Sequence, residues 1–256
     1  MKAMLLHSPG ESLREHELPD PVPALGEVRI AVSACGVCRT DLHLVDGELP
    51  DPLLPVVPGH EIVGTVDALG PGVSGLRIGQ RVGVGWLGHT CRHCRYCRGE
   101  QENLCDAPLF TGYTRHGGFA TRAVAEARYT YPLPADGDDA ALAPWLCAGL
   151  IGWRSLVMAD AGANGSALAG GATVEGGMHG HTLGIYGFGA AGHLIAQVAA
   201  WQGRRIFVFT RAGDTAAQAF PNRSMPRSSM RRSARWCRRR CARYARAGAW
   251  CAPAFT

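Results

Sequence analysis

Short β-branched runs broken by glycine and proline fill residues 1–135. The clearest are 27–32, 62–68 and 80–84, with turns at Pro9-Gly10, Pro71-Gly72 and Asp136-Gly137. This alternation predicts a mostly-β unit with loops. Residues 140–158 are apolar, rich in Ala and Leu, and free of proline after Pro144, which predicts a helix. Residues 159–181 are Gly/Ala-rich without a hydrophobic period, the composition of a linker or insertion. The pattern then changes to a strand at 183–186, a glycine turn at 187–192, a helix at 193–202 and a second strand at 205–210, with Leu194, Ile195 and Val198 on one helix face. Strand, turn, helix and strand in that order open a parallel α/β domain.

A chain of 256 residues is long enough for two domains. Its net charge of +5 is unevenly spread. Residues 221–256 hold ten arginines and no acid, so the rest of the chain has a balance of −5. No apolar run approaches the roughly 20 residues of a membrane span, and the first residues lack the apolar stretch of a signal peptide. A soluble cytoplasmic protein without a membrane partner is therefore expected.

Four of the ten cysteines change the picture, because Cys91, Cys94, Cys97 and Cys105 follow one another at short gaps. Four thiolates can enclose one Zn²⁺ tetrahedrally and shut out water, which suits a structural metal. The alternative is a set of reduced thiols on a surface loop. His89 and His93 lie beside them and are expected to be solvated. A second, dispersed set comprises Cys38 in GVCRTDLH, His60 and Glu61 in PGHEIVGTV, and Cys147 in PWLCAG. Two sulfurs and one imidazole leave a fourth metal position for water or substrate. On spacing alone, a lone Cys on an apolar helix such as Cys147 is more often core than ligand.

GVCRTDLH, followed by GHEIVGTVDALGPGV and the four-cysteine loop, resembles the zinc-dependent alcohol dehydrogenases of the medium-chain dehydrogenase/reductase family. The resemblance spans residues 1–158 and 183–220. It implies an α/β protein with a GroES-like catalytic domain at 1–150, a connecting helix and linker at 151–182 and a partial Rossmann domain, a doubly wound parallel sheet, at 183–220. It also implies two zinc ions per chain. Cys38, His60 and Cys147 would hold the catalytic ion and Glu61 would approach it during ligand exchange, while the four-cysteine loop would hold the structural one. Arg39 would reach the cofactor pyrophosphate, Thr40 would hydrogen-bond the alcohol oxygen, and His43 would pass the released proton to solvent. Asp41 would orient a ligand histidine. Thr40 and Asp41 could equally cap a turn, and His43 could be an exposed polar residue. Trp86 and Trp145 are either pocket walls or core.

Gly187, Gly189 and Gly192 form a G-x-G-x-x-G between a strand and a helix, the context in which backbone N–H groups meet a pyrophosphate. The acidic residue that would bind a ribose 2′-hydroxyl is missing, and Thr210 and Arg211 stand in its place. Arg211 favours NADP over NAD, unless it is merely solvated. The expected activity is hydride transfer between a small-molecule alcohol or aldehyde and NADP or NAD, in a homo-oligomer when full length. The alternatives are another zinc-dependent polyol or aldehyde reductase and a non-catalytic zinc-binding remnant.

The family pattern stops after Phe220. With 25 arginines against the single Lys2, a frame change in a GC-rich coding sequence or a truncation is the expected cause, and residues 221–256 are expected to be disordered. A chain with that tail would have little activity. An arginine-rich arm could also bind nucleic acid, but no nucleic-acid motif accompanies it. Cys237, Cys241 and Cys251 lack a fourth ligand for a third zinc.

Overall fold

The computed structural model describes residues 1–163 and 182–211. Residues 221–256, with Cys237, Cys241 and Cys251, lie outside the described residues, as does most of the Gly/Ala-rich stretch. The chain divides into two compact units. Met1–Cys147 form the first, and the second begins at Ala148. Among the described residues, no single helix is long and apolar enough to cross a membrane.

The first unit runs β1 (Lys2–Leu5), β2 (Arg14–Glu17), β3 (Glu27–Gly36), α1 (Arg39–Val45), β4 (Glu61–Leu69), β5 (Arg81–Val84) and β6 (Leu87–His89). There follow α2 (Arg95–Arg98), β7 (Leu109–Phe110), β8 (Arg122–Glu126), β9 (Thr130–Pro132) and α3 (Asp139–Leu142). Its main sheet is antiparallel in the order β8-β3-β4-β5-β9. Val28, Ile30, Ile62, Val66, Val82 and Val84 are buried in one cluster. Each such side chain contributes about 1.5–3 kcal/mol on leaving water. Register shifts in β3 at Arg29/Ile30 and Val32/Ala34 bend the strand as bulges do. Its last residues, Cys35 and Gly36, are thereby paired with Ile62 and Glu61 at the start of β4.

The turn residues at 9–10, 71–72 and 136–137 behave as the sequence predicts, with Gly10, Gly72 and Gly137 all at positive φ. The helix expected over 140–158 is instead broken. α3 gives way to a 3₁₀ turn at Ala143–Leu146, Cys147 leaves helical geometry (φ −130°, ψ −73°), and α4 (Ala148–Ala163) starts afresh. Pro144, at the start of the 3₁₀ turn, has no N–H to give and its ring crowds the preceding turn. Cys147 therefore sits at a corner, not on a helix face.

Arg81 on β5 anchors the approach to that corner. Its guanidinium donates to the Pro134, Asp136 and Gly137 carbonyls at 2.7, 2.6 and 2.9 Å and pairs with Asp139. Two residues on, a Cβ at Gly83 would lie 2.8 Å from Leu146, so the bare backbone of β5 is what seats the residue before Cys147.

The second unit holds α4, β10 (Thr182–Tyr186), α5 (Ala190–Trp201) and β11 (Arg205–Phe209), with β10 and β11 parallel. Leu156, Ile185, Phe188, Ile195 and Ala196 form its core. Gly152 lets α4 approach α5 closely, since a Cβ there would lie 3.1 Å from the Ala191 carbonyl. The α5 helix begins at Ala190, inside the glycine motif and three residues earlier than the hydrophobic pattern suggests, because apolar periodicity does not register the first turn.

Candidate metal centres and cofactor turn

Cys38 caps α1, a helix absent from the sequence reading. Its backbone N–H donates to Asp41 Oδ2 at 2.7 Å, the reciprocal arrangement by which a third-position carboxylate closes a helix start. Asp41, itself buried, also accepts the Gly59 N–H on Oδ1 at 3.2 Å. The same oxygen lies 3.3 Å from His60 Nδ1. One carboxylate therefore fixes both the Cys38 backbone and the residue that precedes His60.

Gly59 is at φ +95°, and a Cβ on it would lie 2.5 Å from the Phe119 ring and 2.8 Å from Cys35 Sγ. Only glycine fits. His60 is 1% exposed. Trp86 meets its ring edge-on at 4.9 Å and is itself stacked on Phe110 and Tyr113. Trp86 is thus a wall of the His60 site, and the Phe110 and Tyr113 backing is a feature the sequence reading missed.

Cys38, His60, Glu61 and Cys147 bring their ligand atoms within 4.8 Å of one another. The Cys38 and Cys147 sulfurs are 3.7 Å apart, and two thiolates at about 2.3 Å from one tetrahedral zinc would be about 3.8 Å apart. Both ring nitrogens of His60 are buried without a hydrogen-bond partner, the Asp41 contact being poorly aligned. An orphaned buried polar atom costs about 1–3 kcal/mol, and a metal ligated by Nε2 would remove that cost. Two sulfurs, one imidazole and a carboxylate in reserve therefore fit a zinc ion. The Glu61 carboxylate occupies the space of a missing side chain, since a Cβ on Gly36 would lie 1.8 Å from Glu61 Oε2.

The electrostatics suit a cation. Burial pushes Glu61 up to about 8. Burial would lower His60, but Asp41 and Cys38 outweigh it and raise the imidazole to about 10. The hydrogen bond between the sulfurs draws Cys38 down to about 3 and holds Cys147 as the thiol, far above its ordinary range. Three groups thus cling to protons in a closed space, and a divalent ion can take the place of those on Cys147 and His60.

Cys91, Cys94, Cys97 and Cys105 likewise lie within 4.8 Å of one another, with Cys91 and Cys97 sulfurs 4.0 Å apart. Backbone N–H groups donate to these sulfurs: Cys94 to Cys91, Cys97 to Cys94 and Cys91 to Cys105, at 3.4, 3.4 and 3.2 Å. The first and largest effect on Cys94 is the Cys97 N–H, and its thiol is drawn down to about 6. The donor set fits a closed zinc site. His93 is exposed and binds the Cys91 carbonyl. His89 keeps a partly exposed side chain, but it is also paired, which the sequence did not suggest. Its Nδ1 lies 2.5 Å from Glu126 Oε1, which also meets Arg115 at 3.2 Å, a long-range pairing invisible in local spacing.

Thr40 Oγ1 lies 3.7 Å from Cys38 Sγ. Arg39 is exposed at the start of α1, and His43, one turn on from Thr40, is half-buried and hydrogen-bonded to Glu48. In the second unit, the Gly187 N–H donates to the Phe209 carbonyl at 2.8 Å, tying the glycine turn to the end of β11. A Cβ on Gly192 would lie 2.8 Å from the Gly187 carbonyl, whereas Gly187 at φ +85° and Gly189 face open space. Arg211 is exposed just beyond β11.

Residues 24–135 match the alcohol dehydrogenase GroES-like domain. The probable alcohol dehydrogenase AdhA of Mycobacterium tuberculosis (strain CDC 1551 / Oshkosh) is 43% identical over 75% of this chain and 52% of its own length. An alcohol dehydrogenase of Geobacillus stearothermophilus is 37% identical over 80% of this chain and 57% of its own. Among solved structures, a Helicobacter pylori CAD complexed with NADP(H) superimposes with a TM-score of 0.72 at 26% identity, covering 85% of this chain and 61% of that one. The cobalt- and zinc-bound thermostable alcohol dehydrogenase of Pyrobaculum aerophilum gives 0.70 at 26% identity, covering 86% and 63%. The chain spans about half the length of the curated relatives it matches. Its α/β architecture, its GroES-like domain and these relatives together establish that the chain belongs to the alcohol dehydrogenases of the medium-chain dehydrogenase/reductase family.

Proposed function

We propose that the protein is a zinc-dependent oxidoreductase that transfers a hydride between a small primary or secondary alcohol and NADP or NAD, with a second zinc in the four-cysteine loop. The observation that carries this reading is the buried set of Cys38, His60 and Cys147, with sulfurs 3.7 Å apart and an imidazole without a partner. A zinc ion bound there would act as a Lewis acid on an alcohol hydroxyl, and a nicotinamide would take the hydride that no side chain can accept.

The chain's own residues supply the rest. Asp41 holds Cys38 and faces His60, so the ligands are pre-set in orientation. Thr40 Oγ1, beside Cys38, would take the hydroxyl proton as it gives up its own. His43, three residues further on the same face of α1, carries it outward, and Glu48 at its Nδ1 steadies the charge that results. The Trp86, Phe110 and Tyr113 rings keep water from one side of His60. Glu61, held close by the bare backbone of Gly36, would be the carboxylate in reserve for a metal held there. The glycine turn at Gly187, Gly189 and Gly192 would hold the cofactor pyrophosphate. Arg211 favours the 2′-phosphate of NADP.

The test is turnover of short alcohols with each cofactor by a zinc-loaded version completed to the length of its relatives, its chelated form and its His60→Ala variant, together with cofactor binding by parent and Arg211→Asp. Zinc-dependent turnover that His60→Ala abolishes, and a shift toward NAD in Arg211→Asp, are expected. Tight zinc binding without turnover would replace this reading with that of a non-catalytic zinc protein.

A further inference from the structure

Outside both sulfur sites, the β1–β2 ribbon brings two histidines together. His7 follows β1 and His16 lies within β2, and their Nε2 atoms are 2.9 Å apart with ring centroids 4.9 Å apart. Both residues are half-buried, and the carboxylate-bearing Glu15 and Glu17 flank His16 on exposed positions of β2. Glu15 is paired with Lys2 at 3.4 Å.

We propose that His7 and His16 form a two-imidazole chelate for a divalent late transition-metal ion of the copper or nickel kind. Two nitrogens each about 2.0–2.1 Å from one ion are about 2.9 Å apart when they subtend a right angle, and about 3.3 Å apart in a tetrahedron. The separation of 2.9 Å is that of a hydrogen bond between the two rings, and it is close to the right-angle separation that square-planar Cu²⁺ and octahedral Ni²⁺ require, so the rings need little movement to take up such an ion. The ion takes the place of the single proton that the two facing nitrogens otherwise share. Neutral imidazole is the ligand class these metals favour, and the remaining positions are left to water or a small ligand. The antiparallel pairing of Ala3 with His16 and of Leu5 with Arg14 fixes the ribbon, so most of the ordering that a chelate requires is already in place.

The experiment uses the full chain loaded with zinc. Ni²⁺ is titrated in by calorimetry, with zinc and nickel counted after gel filtration, for the parent, His7→Ala and His16→Ala. The parent is expected to take up one more nickel equivalent than either variant. Each variant, left with one imidazole, should bind that equivalent about tenfold more weakly or worse, since the second ligand no longer acts intramolecularly. Unchanged zinc content in the variants shows that the fold is kept. Equal nickel stoichiometry and affinity in all three proteins would overturn the proposal, as would nickel uptake matched by zinc loss.

Discussion

Cys38 and Cys147 face each other at 3.7 Å although they are 109 positions apart in the chain, and the two belong to different kinds of local structure, a helix cap and a corner between helices. Such a pair can share a metal only when the whole first unit is folded. Elemental analysis of the dialysed protein is expected to find two zinc ions in the parent and one in His60→Ala, whose loop remains intact. Cys94→Ser should lose the other ion and loosen residues 91–105 while keeping the dispersed site. A parent with one zinc or none would contradict this.

Asp41→Asn is expected to weaken the dispersed site without touching the loop. The carboxylate accepts two backbone N–H groups and faces His60, and an amide has one oxygen for those duties. A loss of about 1–3 kcal/mol of stability is expected. Zinc affinity should fall by about 10–100-fold, as when a partner of a metal-bound histidine is removed. Competition with a chromophoric chelator measures it for each site separately.

Gly36→Ala should destabilise the protein by about 1–3 kcal/mol, because its methyl claims the space of the Glu61 carboxylate. The cost is expected to shrink in the double variant Gly36→Ala/Glu61→Ala, where the clash is gone. Urea titrations of the four proteins in the cycle give the coupling energy. Simple additivity would show that backbone strain, not Glu61, is the cause.

His116 provides a pH signature away from the metals. Burial lowers its pKa below the ordinary 6.5, and its Nδ1 accepts the Val57 N–H at 3.2 Å. With the folded-state pKa depressed, the stability contribution is full above 6.5 and is lost as pH falls through the lowered value, because the unfolded chain takes the proton first. His116→Asn, whose side-chain oxygen can take over the acceptor role, should lose less stability than the parent between about pH 7 and pH 5. Urea midpoints across that range check it.

The four-cysteine loop was legible because its ligands are neighbours in the chain, so spacing alone carries the geometry. The dispersed set was legible only through resemblance, since nothing local at Cys38 refers to Cys147. The α/β class and the strand–turn–helix order followed from hydrophobic periodicity. Four features escaped it for distinct reasons. α1 was missed because Arg39, Thr40, Asp41 and His43 give it a polar face with few apolar markers. The corner at Cys147 is hidden in a run of good helix formers, because the apolar pattern over 140–158 carries Pro144 inside one helix and does not mark it as the origin of a tighter turn. The His89–Glu126 contact spans 37 residues, and the clearance at Gly36 is a property of Glu61, a strand away.

The contrast between a local and a dispersed ligand set has a consequence during synthesis. As the chain leaves the ribosome, all four loop cysteines are exposed while Cys147 is still to be made, so an ion held by the loop would be captured by a short nascent segment and one held by the dispersed set would not. The loop can serve as an early nucleus around which β6 and β7 pair, whereas the Cys38–His60–Cys147 set closes only when the first unit is complete. Zinc scarcity during translation would therefore fall on the two sites in sequence, first as misfolding of the nascent loop and only afterwards as an empty pocket in a finished domain.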